Sequence, residues 1–91
     1  MAEQVFVPVS DLAAYDSALE NTKKVEGLHP VMLFEAFNFA DGRRTAYDVY
    51  EAVAAQALAA GAWHYGTVRA QDVLEALQRA AKAGAFTVKR R

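Results

Sequence analysis

From Ala40 to Val49 the chain reads Ala-Asp-Gly-Arg-Arg-Thr-Ala-Tyr-Asp-Val, a tight turn that runs directly into a helix start. Asp41-Gly42 supplies the turn, because glycine takes positive φ at no steric cost. Thr45 follows as a helix N-cap, with Asp48 near the positive end of the helix dipole. A chain built around this junction carries a helix on each side of it.

On the upstream side, Pro30 suits a first helical position, and Val31 to Phe39 contains only Glu35 and Asn38 as polar residues. A helix apolar nearly all round is expected to be central and buried. On the downstream side, Ala46, Val49, Tyr50, Val53, Ala54 and Ala57 fall on one stripe of a 3.6-residue helix, with Asp48, Glu51 and Gln56 on the wet side. Helices are therefore predicted over 30–40 and 45–60. The segment Gly61-Ala-Trp-His-Tyr-Gly66 breaks the pattern and reads as a connecting turn. Val73, Leu74, Leu77, Ala80 and Ala81 then define a helix over 70–83 that stops at Gly84. Arg69 stands at its N-cap, a position that prefers Ser, Thr, Asp or Asn.

Toward the N-terminus, Ser10 or Asp11 caps a segment in which Leu12, Tyr15 and Leu19 recur at helical steps, giving a helix over 11–24. Residues 1–10 read as extended or strand, since Val5, Phe6, Val7 and Val9 are β-prone and Pro8 confines them to a sheet edge or a tether. Residues 85–89 alternate in strand fashion and need an edge to pair with. The strand at Val5 to Val9, a second copy of the chain or a larger protein would each supply one, the first at least cost.

Ninety-one residues hold one domain with one compact core, and twenty alanines favour helix within it. The expected fold is thus mostly α: a single winged-helix-like helix-turn-helix domain over 1–91, of about four helices with a small β element. A net charge of −1 gives no global attraction to nucleic acid or anionic lipid. The absence of cysteine excludes disulfides and thiolate zinc sites and fits either redox compartment. No run approaches the roughly 18 apolar residues of a membrane span, and Met1-Ala2-Glu3-Gln4 lacks the features of a signal peptide.

Catalytic and metal chemistry finds little support in these residues. His29 and His64 are the only histidines, and no His-Glu-x-x-His, paired histidines on one helical face or Gly-x-Ser-x-Gly occurs. His29 reads as a cap for the helix opened by Pro30, and His64 as part of a turn. Asp41 and Asp48 are accounted for by turn chemistry and the helix dipole. No catalytic residue, metal site or cofactor is therefore assigned, and the chain is expected not to be an enzyme.

Trp63 and Tyr65 form a candidate aromatic docking patch, with Phe86 and Val88 on the terminal strand as further contact residues. The expected function is protein interaction through that apolar surface and an open strand edge. The alternative is DNA binding, with the helix from 70 in the major groove and Arg43, Arg44, Arg69, Arg79, Lys89, Arg90 and Arg91 on phosphates. Asp48, Glu51, Asp72 and Glu75 oppose it, since they set negative charge against the phosphate wall. A third option is a module that binds a peptide along the strand edge.

Several segments carry a family resemblance: His29-Pro30, Asn38 to Thr45, Tyr47 to Tyr50, Trp63 to Val68, Val73 to Leu77 and Ala83-Gly84. In these the stretch from His29 onward, roughly two thirds of the chain, resembles the small winged-helix domain appended to some M28-type zinc aminopeptidases. Asp-Gly-Arg-Arg-Thr and the terminal Ala-Gly are also similar to small winged-helix peptide-binding proteins of the PqqD type. Those open with a β-hairpin, whereas this chain has one strand and then a helix. The aminopeptidase resemblance implies that the metal ligands belong to another, larger domain. This chain would then be a non-catalytic accessory domain that docks on a peptidase domain or self-associates.

Overall fold

The structure, a computed structural model, describes residues 3–90, the side chain of Ala62 excepted. It is mostly helical, with strand β1 (Gln4–Pro8), helices α1 (Leu12–Glu20), α2 (Pro30–Phe39), α3 (Ala46–Tyr65) and α4 (Ala70–Ala83), and strand β2 (Phe86–Arg90). Three helix starts are capped by side chains, whereas Arg69 ahead of α4 makes no capping hydrogen bond. Asp11 Oδ1 accepts from the Ala14 N–H at 3.1 Å, and His29 Nδ1 accepts from the Val31 N–H at 3.1 Å ahead of Pro30. Thr45 and Asp48 cap reciprocally: the Asp48 N–H donates to Thr45 Oγ1 at 3.2 Å and the Thr45 N–H to Asp48 Oδ2 at 3.3 Å. Gly84 ends α4 at φ 105°, in the left-handed region.

The stripe predicted for α3 faces inward, with Ala46, Val49, Val53 and Ala57 buried and Tyr50 and Ala54 partly so. It meets Met32, Leu33, Ala36 and Phe37 of α2 and Val73, Ala76, Leu77 and Ala80 of α4 in one core. The start of α2 touches the end of α3, His29 lying 4.9 Å from Tyr65, so these two helices run in opposite directions. Between α1 and α2, Val25 and Leu28 bury into the same core from a stretch too polar to reveal them by periodicity. Arg79 Nη1 donates to the Lys24 carbonyl at 2.7 Å and ties that stretch to α4.

The two strands are joined across almost the whole chain. They pair antiparallel from Gln4↔Arg90 to Pro8↔Phe86, and Val5 also bridges Thr45 on its other side. The terminal strand thus finds its partner at the N-terminal one. Val9 donates to the Ala85 carbonyl at 3.0 Å, and alternation of the ladder from there sets Pro8 at a position that demands no N–H. The proline therefore costs the sheet no hydrogen bond.

Several expectations are corrected. α1 ends at Glu20 rather than 24, and Leu12 of its presumed inner stripe is exposed. α2 is not buried all round: Val31 and Phe34 face outward, because the core needs only one side of it. The helix expected to end at 60 continues to Tyr65 across a kink at Gly61. Phe86, expected to be a surface contact, is only 4% exposed. Its ring meets Phe6 at 6.2 Å and Tyr15 at 5.7 Å edge-on, and Phe37 at 6.2 Å. Burial against Phe86, with the Asp16 charge adding to it, raises the pKa of Tyr15.

Phe86→Ala is expected to destabilise the fold by about 3–5 kcal/mol in chemical denaturation. Val88→Thr, two residues along the same strand but half in solvent, is expected to stay within about 0.5 kcal/mol of the parent. Equal effects would contradict the packing described.

Candidate functional site

After Ala60 the backbone leaves the helix for one residue, with Gly61 at φ 126° and ψ 89°. Side-chain-bearing residues rarely adopt that region. The short turn beyond it reaches Tyr65, and the Trp63 indole folds back over the glycine so closely that a Cβ added there would stand 3.0 Å from Nε1. The backbone angles favour glycine at 61, and a side chain there would displace the indole.

The result is a tryptophan that is 90% exposed. Its ring lies 5.5 Å from that of His64, which in turn lies 4.8 Å from Tyr65 and 5.5 Å from His29. Tyr65 sits edge-on to His29, so the four rings form a continuous group where the end of α3 meets the start of α2. Leu58, 75% exposed, lies on the last regular turns of α3, and Phe34, 61% exposed, on the outer side of α2. Tryptophan offers roughly 150–250 Å² to a partner, and covering it is worth about 4 kcal/mol before ordering costs. Such a group is suited to docking.

His29 is poorly placed for metal. Nδ1 of His29 is occupied as an acceptor from Val31, which in the neutral ring leaves the proton on Nε2 and no lone pair for a cation. Among the described residues no three His, Cys, Asp or Glu side chains converge to hold an ion.

The structure does not bring the expected contact residues into one patch. Trp63 and Tyr65 lie at one end of α3, whereas Val88 lies on the sheet beside the other end, on the order of 25 Å away along the helix. Phe86 belongs to the core. The edge of β1 is taken on both sides at Val5, by Lys89 and Thr45, so the free edge belongs to β2.

The cationic residues are scattered and partly engaged. Arg44 Nη1 lies 3.1 Å from Asp41 Oδ2, with its guanidinium 5.5 Å from the Phe39 ring centre. Arg69 Nε lies 3.1 Å from Asp72 Oδ2, and a Cβ on Gly27 would come within 2.6 Å of that oxygen. Arg79 Nε lies 2.9 Å from Glu75 Oε1. Arg43, Lys89 and Arg90 are exposed, and Arg91 lies outside the described residues. Arg44 and Arg69 stand just beyond opposite ends of α3, so the set forms no single phosphate-facing surface.

At the turn ahead of α3, the Arg43 and Arg44 N–H groups donate to Asp41 Oδ1 at 2.9 and 3.1 Å. These bonds, Arg43's first, hold the Asp41 carboxyl below the usual range, with the Arg44 charge a smaller contribution. A depressed folded pKa means that the stabilisation is present above the unfolded value and lost as pH falls through the folded one. Stability of the parent should therefore decline below about pH 4 more steeply than that of Asp41→Asn, measured by thermal melts across pH. Gly61→Ala is expected to cost about 1–3 kcal/mol in the same assay and to shift the emission of Trp63, the sole tryptophan. An unshifted spectrum would mean that the kink does not position the indole.

No family model, curated protein or solved structure matches this chain.

Proposed function

We propose that this chain is a non-catalytic protein-docking domain that presents the aromatic end of α3 to an apolar pocket on a partner. One observation carries the reading: Trp63 stands 90% exposed on a kink that only glycine accommodates well. A strained backbone residue is retained where surrounding structure or function demands it. The indole that the kink presents contributes no burial to the core, while Tyr65 two residues on packs against it. Leu58 on α3 and Phe34 on α2 are further exposed apolar side chains, and exposed aromatic anchors are the residues that dominate interface energy.

The fold we assign is winged-helix-like, with α2, α3 and α4 as the helical part and β1 standing beside β2 where a wing would carry a second strand. The bridge from Val5 to Thr45 supports this assignment, because it gives the strands the order Thr45, β1, β2. Together with the resemblance to domains appended to M28-type zinc aminopeptidases, it makes a peptidase domain the partner of choice, with self-association through the same surface as the second arrangement. DNA binding gains little, since Arg44, Arg69 and Arg79 are already held by carboxylates of their own chain. Peptide pairing along the free β2 edge uses residues remote from Trp63.

The test uses the tryptophan itself. Free protein should emit as a solvated indole, and titration with an M28-type catalytic domain, or concentration of the protein alone, should shift that emission to the blue. Trp63→Ala should fold with stability within about 0.5 kcal/mol of the parent and lose at least about tenfold in affinity. Unchanged emission with both partners, or an unchanged affinity of the variant, would refute the docking assignment.

A further inference from the structure

The stretch after α1 and the outer face of α4 enclose an open groove of about 680 Å³, lined among others by Lys23, Lys24, Glu75, Gln78, Arg79 and Lys82. This volume lies in the range of ligand-holding clefts. Four cations face one carboxylate in a protein whose net charge is −1. Glu75 is already committed to Arg79 at 2.9 Å. Among the described residues no carboxylate comes within ion-pair distance of Lys23, Lys24 or Lys82. The groove therefore carries three uncompensated positive charges.

Its walls are held in place. Arg79 spans them, since its Nη1 donates to the Lys24 carbonyl at 2.7 Å while its Nε is fixed by Glu75. Thr22 Oγ1 donates to the Ala18 carbonyl at 2.8 Å, which secures the other rim to α1. A ligand thus meets a preformed groove.

The backbone at the groove determines what kind of anion fits. Both neighbouring helices end here, α1 at Glu20 and α4 at Ala83, so carbonyl groups and the negative ends of two helix dipoles lie beside it. A compact phosphate is bound by converging N–H donors, and helix C-termini offer none. The favoured ligand places carboxylates at the lysine tips and N–H donors toward the carbonyls. An extended acidic peptide has both. A nucleic-acid backbone has anions without the N–H donors.

We infer that this groove is a docking channel for an acidic, Asp/Glu-rich peptide segment of a protein partner, distinct from the aromatic end of α3. The experiment is fluorescence anisotropy of a short labelled oligo-glutamate peptide at low and moderate salt, with the intact protein, the double variant Lys24→Glu/Lys82→Glu and Trp63→Ala. Saturable binding is expected to weaken about tenfold or more with the added salt and again with the double charge reversal. Circular dichroism of the double variant should match the parent, because both lysines are exposed and unpaired. Trp63→Ala should bind as the parent does, whatever becomes of docking through the indole. Absence of saturable binding at low salt, equal affinity of the folded double variant, loss of binding in Trp63→Ala, or stronger displacement of the peptide by duplex DNA or inorganic phosphate than by unlabelled peptide would each overturn the inference.

Discussion

The ring of Phe86 lies among side chains from three other elements, Phe6 on β1, Tyr15 on α1 and Phe37 on α2. In a chain of this size one such contact has wide reach, because a small domain leaves a large share of its surface in water and has few places where several elements meet. The edge-on geometry with Phe6 and Tyr15 is favourable for aromatic rings, and the backbone on either side is fixed by pairing with β1. Gly84 turns the chain out of α4 just before this point, and the Ala85 N–H donates back to the Ala80 carbonyl at 2.9 Å. End of helix, start of strand and aromatic cluster thus form one unit. It holds α1, whose other core contacts come from Ala18 and the partly buried Leu19, against the rest.

Away from the sheet end secured in this way, the most exposed large apolar side chain, Trp63, stands at the end of α3. The kink at Gly61 is the local means, and the inward stripe of α3 sets its direction, since Ala57 is the last residue of that stripe in the core. The groove beside α4 arises differently. It depends on one guanidinium, Arg79, which spends its hydrogen bonds on a carboxylate and a carbonyl and leaves the neighbouring ammonium groups unpaired. The two proposed surfaces, one apolar and one cationic, therefore have separate structural origins.

Much of the helical framework was legible in the residues because three of the starts and the end of α4 have local chemistry. Asp11, His29 and Thr45 cap as their side chains suggest, and Gly84 stops α4. The inner face of α3 followed from periodicity, and that of α4 did so in part, since Asp72, expected on its outer face, is buried, as is Ala76, which the stripe left out. Periodicity failed for α2, whose outer Phe34 and Val31 are as apolar as its inner face. It also failed for Val25 and Leu28, which are brought into the core by tertiary contact and belong to no stripe. Phe86 was misplaced because strand alternation gives two faces without saying which one is inward. The partnership of β1 and β2 was recognisable only as the cheapest of several options, since local sequence carries no record of a pairing between opposite ends of a chain. Of the candidate site, the aromatic residues could be identified but the kink that exposes them could not, because glycine within a broken pattern signals a turn without its direction.

The antiparallel register that sets Gln4 beside Arg90 also bears on the order of assembly. Bringing together residues separated by nearly the full chain costs on the order of 4 kcal/mol in closure entropy, which a five-residue pairing does not recover until the intervening helices have shortened the path. The α3–α4 hairpin, whose contacts are local, can form early and cheaply. The sheet, and with it the seating of Phe86, is then the closing step, so the two ends of the chain are the last part to become native and the first to be released when the domain opens.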